Sequence, residues 1–478
     1  MRGIFQPALE FPGYGQIKAR ALAKEPVLVS GIGEGVQDYL AAALAEDMDR
    51  PILIVTANEV SARAVMENMQ FYHPSQTAFF PAKDPLFYSA DVRGGAIEEQ
   101  RLKAIHAIHE QKAKVLVVPV EALFDRLVPH AVFHDFTIFK RVGQELPPEE
   151  LAERLVHMGY SRRDQVEHAG QFSIRGGVID IYPLTEDTAY RVELWGDEID
   201  SIRVLDTETQ RSAHRLTEMR IEPAREIIAD SETERVGLER IQKETEETAA
   251  RFQKRGKEEE AQRIREMTDS FLYRMDGARS RTLDAHIGYF YKETECILQY
   301  MPENTLLILE EPARIREKVR TFQEEIAQSI QGRLEKGYLL PGQCELFPDF
   351  VEVTRVMQQY AGVYMCGLLA ANQQMFPVKE IVRMQSRSVN VLMNEQQELI
   401  RDLRDYTQKG YRVLLLTESS LRIPMVISYL QEEEIPVRGS DKAEEAPPPG
   451  IRPPLQEASA SPSGEALRSG DGSSNRNC

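Results

Sequence analysis

Residues 27–36 read VLVSGIGEGV, an apolar run that leads into a glycine-rich turn and then into a helical pattern. This order of strand, turn and helix is the layout of a phosphate-binding loop. Gly31 and Gly33 fit such a loop, but Glu34 and Gly35 stand where a working loop has its Lys and its Ser or Thr. A carboxylate repels a triphosphate, and glycine offers Mg²⁺ no ligand. The stretch therefore predicts a nucleotide-hydrolase scaffold that no longer hydrolyses nucleotide.

The same turn is open to plainer interpretations. A dinucleotide-binding fingerprint fails, because the chain has Val36 where the third glycine should stand. An ordinary glycine-rich connection remains open, since short glycine motifs match by chance. The second half of a hydrolase site would be an acidic pair ending a strand, and Glu310 and Glu311 in LLILEEPA (306–313) have that position. Without the loop Lys and hydroxyl, we favour a solvated pair that caps the next helix.

Composition narrows the class of protein. A chain of 478 residues with 42% hydrophobic and 28% charged residues fits about three globular domains. No apolar run reaches the roughly 18 residues of a membrane span, and the first residues lack a signal-peptide pattern. The four Cys and nine His residues show no metal, disulfide or catalytic spacing. We therefore expect a cytoplasmic protein without metal or cofactor. The net charge of −18 argues against nonspecific DNA binding by the whole chain.

The periodicity of apolar residues predicts an α/β protein with an inserted domain. Apolar strands alternate with helical patterns as far as residue 129, which is typical of βαβ units and a parallel sheet. A short helix and two glycine hairpins follow, typical of an antiparallel α+β domain. A charged helical pair with Gly256 at its centre comes next, and then the αβ pattern resumes. The predicted strands are 27–29, 52–55, 77–80, 115–119, 171–174, 178–182, 190–195, 198–205, 306–309, 363–369 and 412–416.

Five segments are predicted from this pattern. A parallel-sheet core of the RecA or helicase-like type, with the degenerate loop, takes 1–139, and the inserted antiparallel α+β domain takes 140–228. The second part of the core, with the charged helical pair, takes 229–388. A partial α/β domain takes 389–438. The tail at 439–478 is rich in Pro, Ser and Gly, and we expect it to be disordered.

The inserted domain holds the candidate binding residues. Arginine with aromatic residues on a rigid hairpin is a typical composition of interface hot spots. Scattered surface charge over an aromatic core is the alternative, and the residues alone favour it slightly. Acids of the same hairpins, Asp180 among them, are assigned no chemistry. The candidates are Arg162, Arg163, Phe172, Arg175 and Tyr182.

Several stretches resemble the N-terminal part of the bacterial transcription-repair coupling factors, the Mfd family, a region itself similar to the excision-repair protein UvrB. VSGIGEGV (29–36) lies at the Walker A position and TLLILEEPA (305–313) at the Walker B position. The longest stretches are GYSRRDQVEHAGQFSIRGGVIDIYP (159–183) and YRVELWGDEIDSIRVLDTETQRS (190–212). They are similar to the domain by which both proteins bind UvrA.

The resemblance implies a function and a partner. It implies contact with UvrA through Arg162, Arg175 and Tyr182, supported by Arg163 and Phe172. The departures are Ser161 and Ser173, which stand where relatives can carry arginines. We expect a non-catalytic adaptor of transcription-coupled nucleotide excision repair that recruits UvrA to stalled RNA polymerase.

Two other parts of the family pattern bear on DNA and on catalysis. RNA polymerase and DNA contacts would belong to C-terminal domains that we expect this chain to lack through truncation. The short segment 79–95, whose aromatics are Phe79, Phe80, Phe87 and Tyr88, argues against a hairpin that inserts into DNA. The alternatives are a UvrB-like DNA-dependent ATPase and a fragment that folds but meets no partner.

Overall fold

The chain forms two compact units in a computed structural model. The first comprises Met1–Thr77, Asn304–Arg316 and Tyr360–Cys478, and the second Ala78–Glu303 and Glu317–Gln359. The structure describes residues 2–33, 35–83, 94–276, 283–346, 348–368, 377–386, 396–411, 413, 415 and 422–437. The predicted tail at 439–478 lies outside these residues, as do most positions of the strand expected at 412–416.

Strands and helices alternate in the first part of the chain, and a run of consecutive strands followed by a run of helices comes after it. The strands are β1 (Val27–Ser30), β2 (Ile52–Thr56), β3 (Thr77–Phe79), β4 (Val115–Pro119), β5 (Ile138–Arg141), β6 (Ser161–Arg162), β7 (Gln171–Arg175), β8 (Val178–Tyr182), β9 (Ala189–Trp195), β10 (Glu198–Asp206), β11 (Arg211–Leu216), β12 (Glu218–Ile221), β13 (Leu306–Glu310), β14 (Ala361–Cys366) and β15 (Glu380–Arg383). The α-helices are α1 (Arg2–Glu10), α2 (Tyr14–Leu22), α3 (Val36–Met48), α4 (Glu59–Tyr72), α5 (Gly94–His109), α6 (His130–Phe136), α7 (Pro148–His157), α8 (Ser231–Lys254), α9 (Glu258–Asp276), α10 (Ile287–Phe290), α11 (Ile297–Tyr300), α12 (Pro312–Glu335), α13 (Phe350–Met357), α14 (Gln396–Gln408) and α15 (Ile423–Glu432). Short 3-10 helices cover Val120–Phe124, Leu283–His286 and Pro341–Leu346.

The first unit is built on parallel strands in the order β15-β1-β14-β13-β2. Strands β1, β2 and β14 are buried at every position, which is typical of a parallel sheet covered on both faces. Helix α3 follows β1 after Gly35, whose φ of 78° suits glycine. Helix α4 begins at Asn58, whose side chain accepts a hydrogen bond from the Ser61 amide. The carboxyl ends of β1 and β13 therefore carry the loop and the acidic pair singled out in the sequence.

The second unit contains a six-stranded sheet in the order β11-β10-β9-β8-β7-β6. Its pairs are antiparallel except for β6 with β7, which run parallel. The turns of the two predicted hairpins contain Gly176 and Gly196, each with a φ of +63°. Strand β5 pairs with β12, so the chain enters and leaves this domain side by side. Helix α7 packs Leu151 and Leu155 into the core on one face of the sheet.

A fully buried arginine fixes the end of this domain to helix α5. Arg101 donates from Nε to Glu226 (2.8 Å) and from Nη1 to Asp125 (2.6 Å) and to the carbonyl of Pro81 (2.7 Å). The Nζ of Lys83 lies 3.0 Å from Glu226. Two buried carboxylates therefore face two cations, which is the pairing that buried charge requires.

A second polar contact joins α5 to the same domain. Glu222 follows β12 and lies 2.7 Å from Nδ1 of His106 and 3.2 Å from Nδ1 of His109. Burial alone would raise the pKa of Glu222, but hydrogen bonds with the two imidazoles and the charge of Arg220 lower it to about 2. The carboxylate therefore stays ionised and holds the domain to α5 at neutral pH.

The predicted α/β class, with a parallel sheet and a separate antiparallel sheet, is confirmed. That the parallel sheet is a RecA-like nucleotide-hydrolase core stays a prediction. The charged helical pair turns at Gly256, as predicted, with a φ of +72°. No helix in the described part of the chain is long and apolar enough to cross a membrane.

Candidate functional site

The glycine-rich loop is held by the chain's own groups. A Cβ at Gly31, whose φ is +83°, would lie 2.1 Å from the carbonyl oxygen of Met384, so only glycine fits. The amide of Gly33 donates to Oγ of Ser386 at 2.8 Å, and that hydroxyl donates to the Gly31 carbonyl at 3.1 Å. Glu34 lies outside the described residues. An amide that would face a phosphate in a working loop is therefore bonded to a serine of this chain.

The acidic pair after β13 points inward. One oxygen of Glu310 is buried without a hydrogen-bond donor, and its carboxyl lies against that of Asp38 on α3. Burial and the neighbouring charges of Asp38 and Glu311 raise the pKa of Glu310 well above its usual range. Asp38 also accepts a hydrogen bond of 2.6 Å from Nδ2 of Asn68. The facing carboxyls therefore favour the protonated form of Glu310.

Glu311 is bound within the same unit. Its Oε1 accepts from Nε2 of Gln37 at 3.0 Å and from the amide of Gly367 at 2.8 Å. The expectation of a solvated pair that caps the next helix is therefore wrong, since one oxygen of the half-buried Glu310 is shielded from solvent and the Glu311 side chain bonds to Gln37 and Gly367. These residues do not fit a magnesium–nucleotide complex: the Lys and hydroxyl are absent, the Gly33 amide is taken, and the two acids are engaged.

The candidate residues of the inserted domain lie on different sides of its sheet. We call the side that faces α7 the inner face and the opposite side the outer face. Phe172 is fully buried among the inner-face residues, in register with Ile181. Arg162 is in register with Phe172 and so projects to the inner side, at the exposed edge strand β6. Arg175, three positions after Phe172, projects to the outer face.

This placement divides the predicted site. Tyr182 shares the outer face with Arg175, but it is half-buried against Val166. Arg163 is exposed where the loop after β6 begins. The idea that the Phe172 side chain contacts a partner is corrected by its burial, because its ring packs in the core. Arg175 is the candidate that combines exposure with a fixed position.

Asp180 is buried under the outer face and holds the Arg175 side chain in one orientation. Its carboxylate is fully buried and accepts from Nη2 of Arg175 at 2.7 Å. It also accepts from Nε and Nη2 of Arg191, at 2.7 and 2.8 Å. Arg175 remains 47% exposed, whereas Arg191 is 15% exposed. One buried acid therefore orients a guanidinium that still faces solvent, which is how binding residues are preorganised.

Sequence reasoning gave no role to two residues of this face. Asp180 interrupts an apolar strand, VIDIY at 178–182, and an acid within a strand is an unusual choice that signals a specific partner. Trp195 ends β9 and is 84% exposed. It is the chain's single tryptophan, beside the turn glycine Gly196, and that position was the available signal.

No group of three or more His, Cys, Asp or Glu side chains able to hold a metal occurs among the described ranges. The outer face of the inserted domain presents an oriented guanidinium, an exposed indole and exposed acids. In the first unit, the Gly33 amide and the Glu311 carboxylate are bonded within the chain, and Glu310 lies against Asp38.

Comparison with known proteins agrees with the resemblance seen in the sequence. Residues 138–227 match the UvrB interaction domain. The chain is 29% identical over 416 residues to the transcription-repair-coupling factor of Bacillus subtilis strain 168, covering 87% of this chain and 35% of that protein. It is 25% identical over 415 residues to that of Staphylococcus epidermidis, covering 86% and 35%. With that of Staphylococcus aureus strain Mu50 it shares 24% identity over 411 residues, covering 86% and 34%. Residues 138–227 are therefore similar to the UvrB interaction domain, and the chain is similar over most of its length to transcription-repair coupling factors, of which it spans about a third.

Proposed function

We propose that this chain is a non-catalytic adaptor of transcription-coupled nucleotide excision repair, which binds UvrA through its inserted domain and recruits it to stalled RNA polymerase. The observation that carries the proposal is the match of residues 138–227 to the UvrB interaction domain. Polymerase contact and DNA translocation are assigned, within the proposal, to parts of the relatives that this chain does not span.

The state of the glycine-rich loop supports an adaptor over a UvrB-like ATPase. An ATPase needs amides free to hold phosphate and acids free to hold Mg²⁺. Here the Gly33 amide is bonded to Ser386, and Glu310 lies against Asp38. Phe79 and Phe80, two of the aromatics of segment 79–95, are buried, which agrees with the argument against a hairpin that inserts into DNA. Phe87 and Tyr88 lie outside the described residues.

The energetic centre of the proposed contact is Arg175. Its guanidinium is already oriented by Asp180, so little side-chain entropy is lost when a partner carboxylate binds to it. A charge-assisted bidentate contact at an interface is among the stronger polar interactions. Removing such a side chain typically costs about 2 kcal/mol or more, which corresponds to more than tenfold in affinity.

Capture of purified UvrA by the immobilised full chain tests the proposal. We expect Arg175→Ala to weaken capture at least about tenfold. Arg162→Glu should also weaken it, because a partner that closes over the β6 edge contacts both sides of the sheet. Arg215→Ala is the matched control, since Arg215 is an exposed arginine on β11 at the opposite edge. If the wild-type chain captures no UvrA, the adaptor proposal fails. If Arg175→Ala binds as well as Arg215→Ala, the contact lies elsewhere.

A further inference from the structure

The most exposed aromatic ring of the inserted domain is the indole of Trp195. Trp195 is 84% exposed, although it belongs to a strand whose Val192 is fully buried. Tryptophan carries a large apolar surface, and leaving it in water forgoes the favourable free energy of its burial. Exposed tryptophan is accordingly enriched where proteins bind one another.

The strand register places Trp195 on the same face and at the same end of the sheet as Arg175. Arg175 is in register with Val178, and Val178 with Glu193, two positions before Trp195 on the same side of β9. Gly176 lies in the neighbouring turn, and a Cβ built there meets no atom within 4 Å. No side chain from that turn covers the space beside the indole.

The charges on the two sides of Trp195 differ in sign. On the Arg175 side, the carboxylate of Asp180 faces two guanidiniums, those of Arg175 and Arg191, so one positive charge has no counterpart in this group. Glu193 acts on Arg191 and also pairs with Arg203 at 3.3 Å, so with it the group has two acids and three guanidiniums, and one positive charge is still unmatched. A partner on this side must therefore present a carboxylate.

The opposite side of Trp195 is acidic. Trp195 is in register with Glu198, which forms a bridge to Glu145. Both acids are exposed, as is Asp197 in the turn that joins Trp195 to Glu198. One cation lies beside them, since Nζ of Lys140 donates to the Glu145 carbonyl at 2.8 Å, so three acids face one ammonium and the rim stays negative. The ring thus stands between a positive and a negative rim, so a complementary cleft has an acidic wall on one side and a basic wall on the other. Such an arrangement fixes the orientation of the partner as well as its position.

We propose that Trp195 is the apolar anchor of the contact with UvrA, and that its indole enters an apolar cleft whose acidic wall faces Arg175 and whose basic wall faces Glu198. This inference rests on the proposed function and adds the residue that gives the contact its apolar core. Anchors of this kind lie at the centre of an interface, and polar groups around them exclude water.

Two measurements on the full chain test the anchor. Affinity for UvrA should fall at least about tenfold with Trp195→Ala and stay within about threefold with Trp195→Phe, which keeps an aromatic ring. Tyr273→Ala is the matched control, because Tyr273 on α9 is also 84% exposed. Since the chain has one tryptophan, 5-fluorotryptophan labelling gives a single ¹⁹F resonance, and UvrA should shift or broaden it.

The outcomes separate the anchor from the adaptor function. If the wild-type chain binds UvrA while Trp195→Ala binds equally well and the ¹⁹F resonance does not change, the anchor is overturned and the adaptor function stands. If the wild-type chain does not bind UvrA, both fall. If the resonance of the free chain shifts with its own concentration and Trp195→Ala abolishes self-association, the occupant is a second copy of the chain and the UvrA anchor is overturned.

Discussion

Two acids in this chain lie in opposite surroundings. Glu310, at the end of a parallel strand in the first unit, faces the carboxyl of Asp38. Asp180, within the inserted domain, faces the guanidiniums of Arg175 and Arg191. At the first place two acids face each other, which favours the protonated form of Glu310; at the second one acid faces two guanidiniums and orders them.

The difference shows how the two regions use their polar groups. Around the glycine-rich loop, the amide of Gly33 and the carboxylate of Glu311 are satisfied by Ser386 and by Gln37. A ligand would have to displace these bonds before it could form its own. On the outer face, Asp180 leaves Arg175 oriented and exposed, so a partner gains contacts without breaking any. The sequence order of strand and loop is therefore a weaker guide to function than whether the donors and acceptors there are free to bind a ligand.

Asp180→Ala should have the largest effect on stability, because it leaves two guanidiniums without their buried acid. Breaking a buried ion pair from one side costs about 3 kcal/mol or more. The free energy of unfolding of the full chain, from urea titration followed by circular dichroism, should fall by this order. Asp200→Ala is the control, since Asp200 is an exposed acid on β10 of the same sheet.

Equal stability of Asp180→Ala and Asp200→Ala would contradict the idea that Asp180 organises the outer face. The contrast drawn between Glu310 and Asp180 would then not be supported. A loss of stability with unchanged UvrA affinity would instead show that Asp180 supports the sheet without orienting the contact.

Much of the fold was accessible from local sequence. Buried parallel strands are continuous apolar runs, so β1, β2 and β4 were predicted within one or two residues. A glycine in each turn located both hairpins, because Gly176 and Gly196 adopt a positive φ. Strand β11, RSAHRL, was missed since it is polar and mostly exposed, and β15 was missed since it is short and lies at the edge of the sheet.

The candidate site was less accessible, because it depends on contacts between distant residues and on register. Ser386 and Gly33 are 353 positions apart, and no periodicity links them. The split of Arg162 and Arg175 between two faces follows from the register of β6 with β7, which pairs Arg162 with Phe172, and the sequence predicts neither this strand nor its parallel direction. The composition of the hairpin identified Arg175 as a candidate, but only the pairing of the strands shows that Asp180 orients it.

Glu310→Gln should have an intermediate effect that depends on pH. Burial raises the pKa of Glu310 well above its ordinary value of 4.5, so the folded chain keeps a proton that the unfolded chain releases. This contribution to stability is fully present below 4.5 and is lost as pH rises towards the folded pKa, by up to about 1.4 kcal/mol per pH unit. An amide binds no such proton and can donate to Asp38. The variant should therefore lose less stability than wild type as pH rises above 4.5.

Urea titrations at several pH values measure this difference. Glu303→Gln is the control, because Glu303 is an exposed acid just before β13 and its loss should leave the pH slope of wild type unchanged. If Glu310→Gln shows the same slope as Glu303→Gln, the pKa of Glu310 is not raised in the folded chain. The contrast between Glu310 and Asp180 would then not be supported.

Ser386→Ala should have the smallest effect and addresses the loop itself. The variant loses the hydrogen bonds to the Gly33 amide and the Gly31 carbonyl, so we expect the unfolding free energy to fall by about 1 kcal/mol. Nucleotide affinity should stay undetectable in wild type and variant alike, because a freed amide does not replace the missing Lys and hydroxyl. Titration of a fluorescent ATP analogue with Mg²⁺ measures this. Micromolar affinity in wild type would mean that the loop is open to phosphate and would favour the ATPase alternative. Affinity that appears in Ser386→Ala alone would mean that the serine closes a loop that is otherwise able to bind.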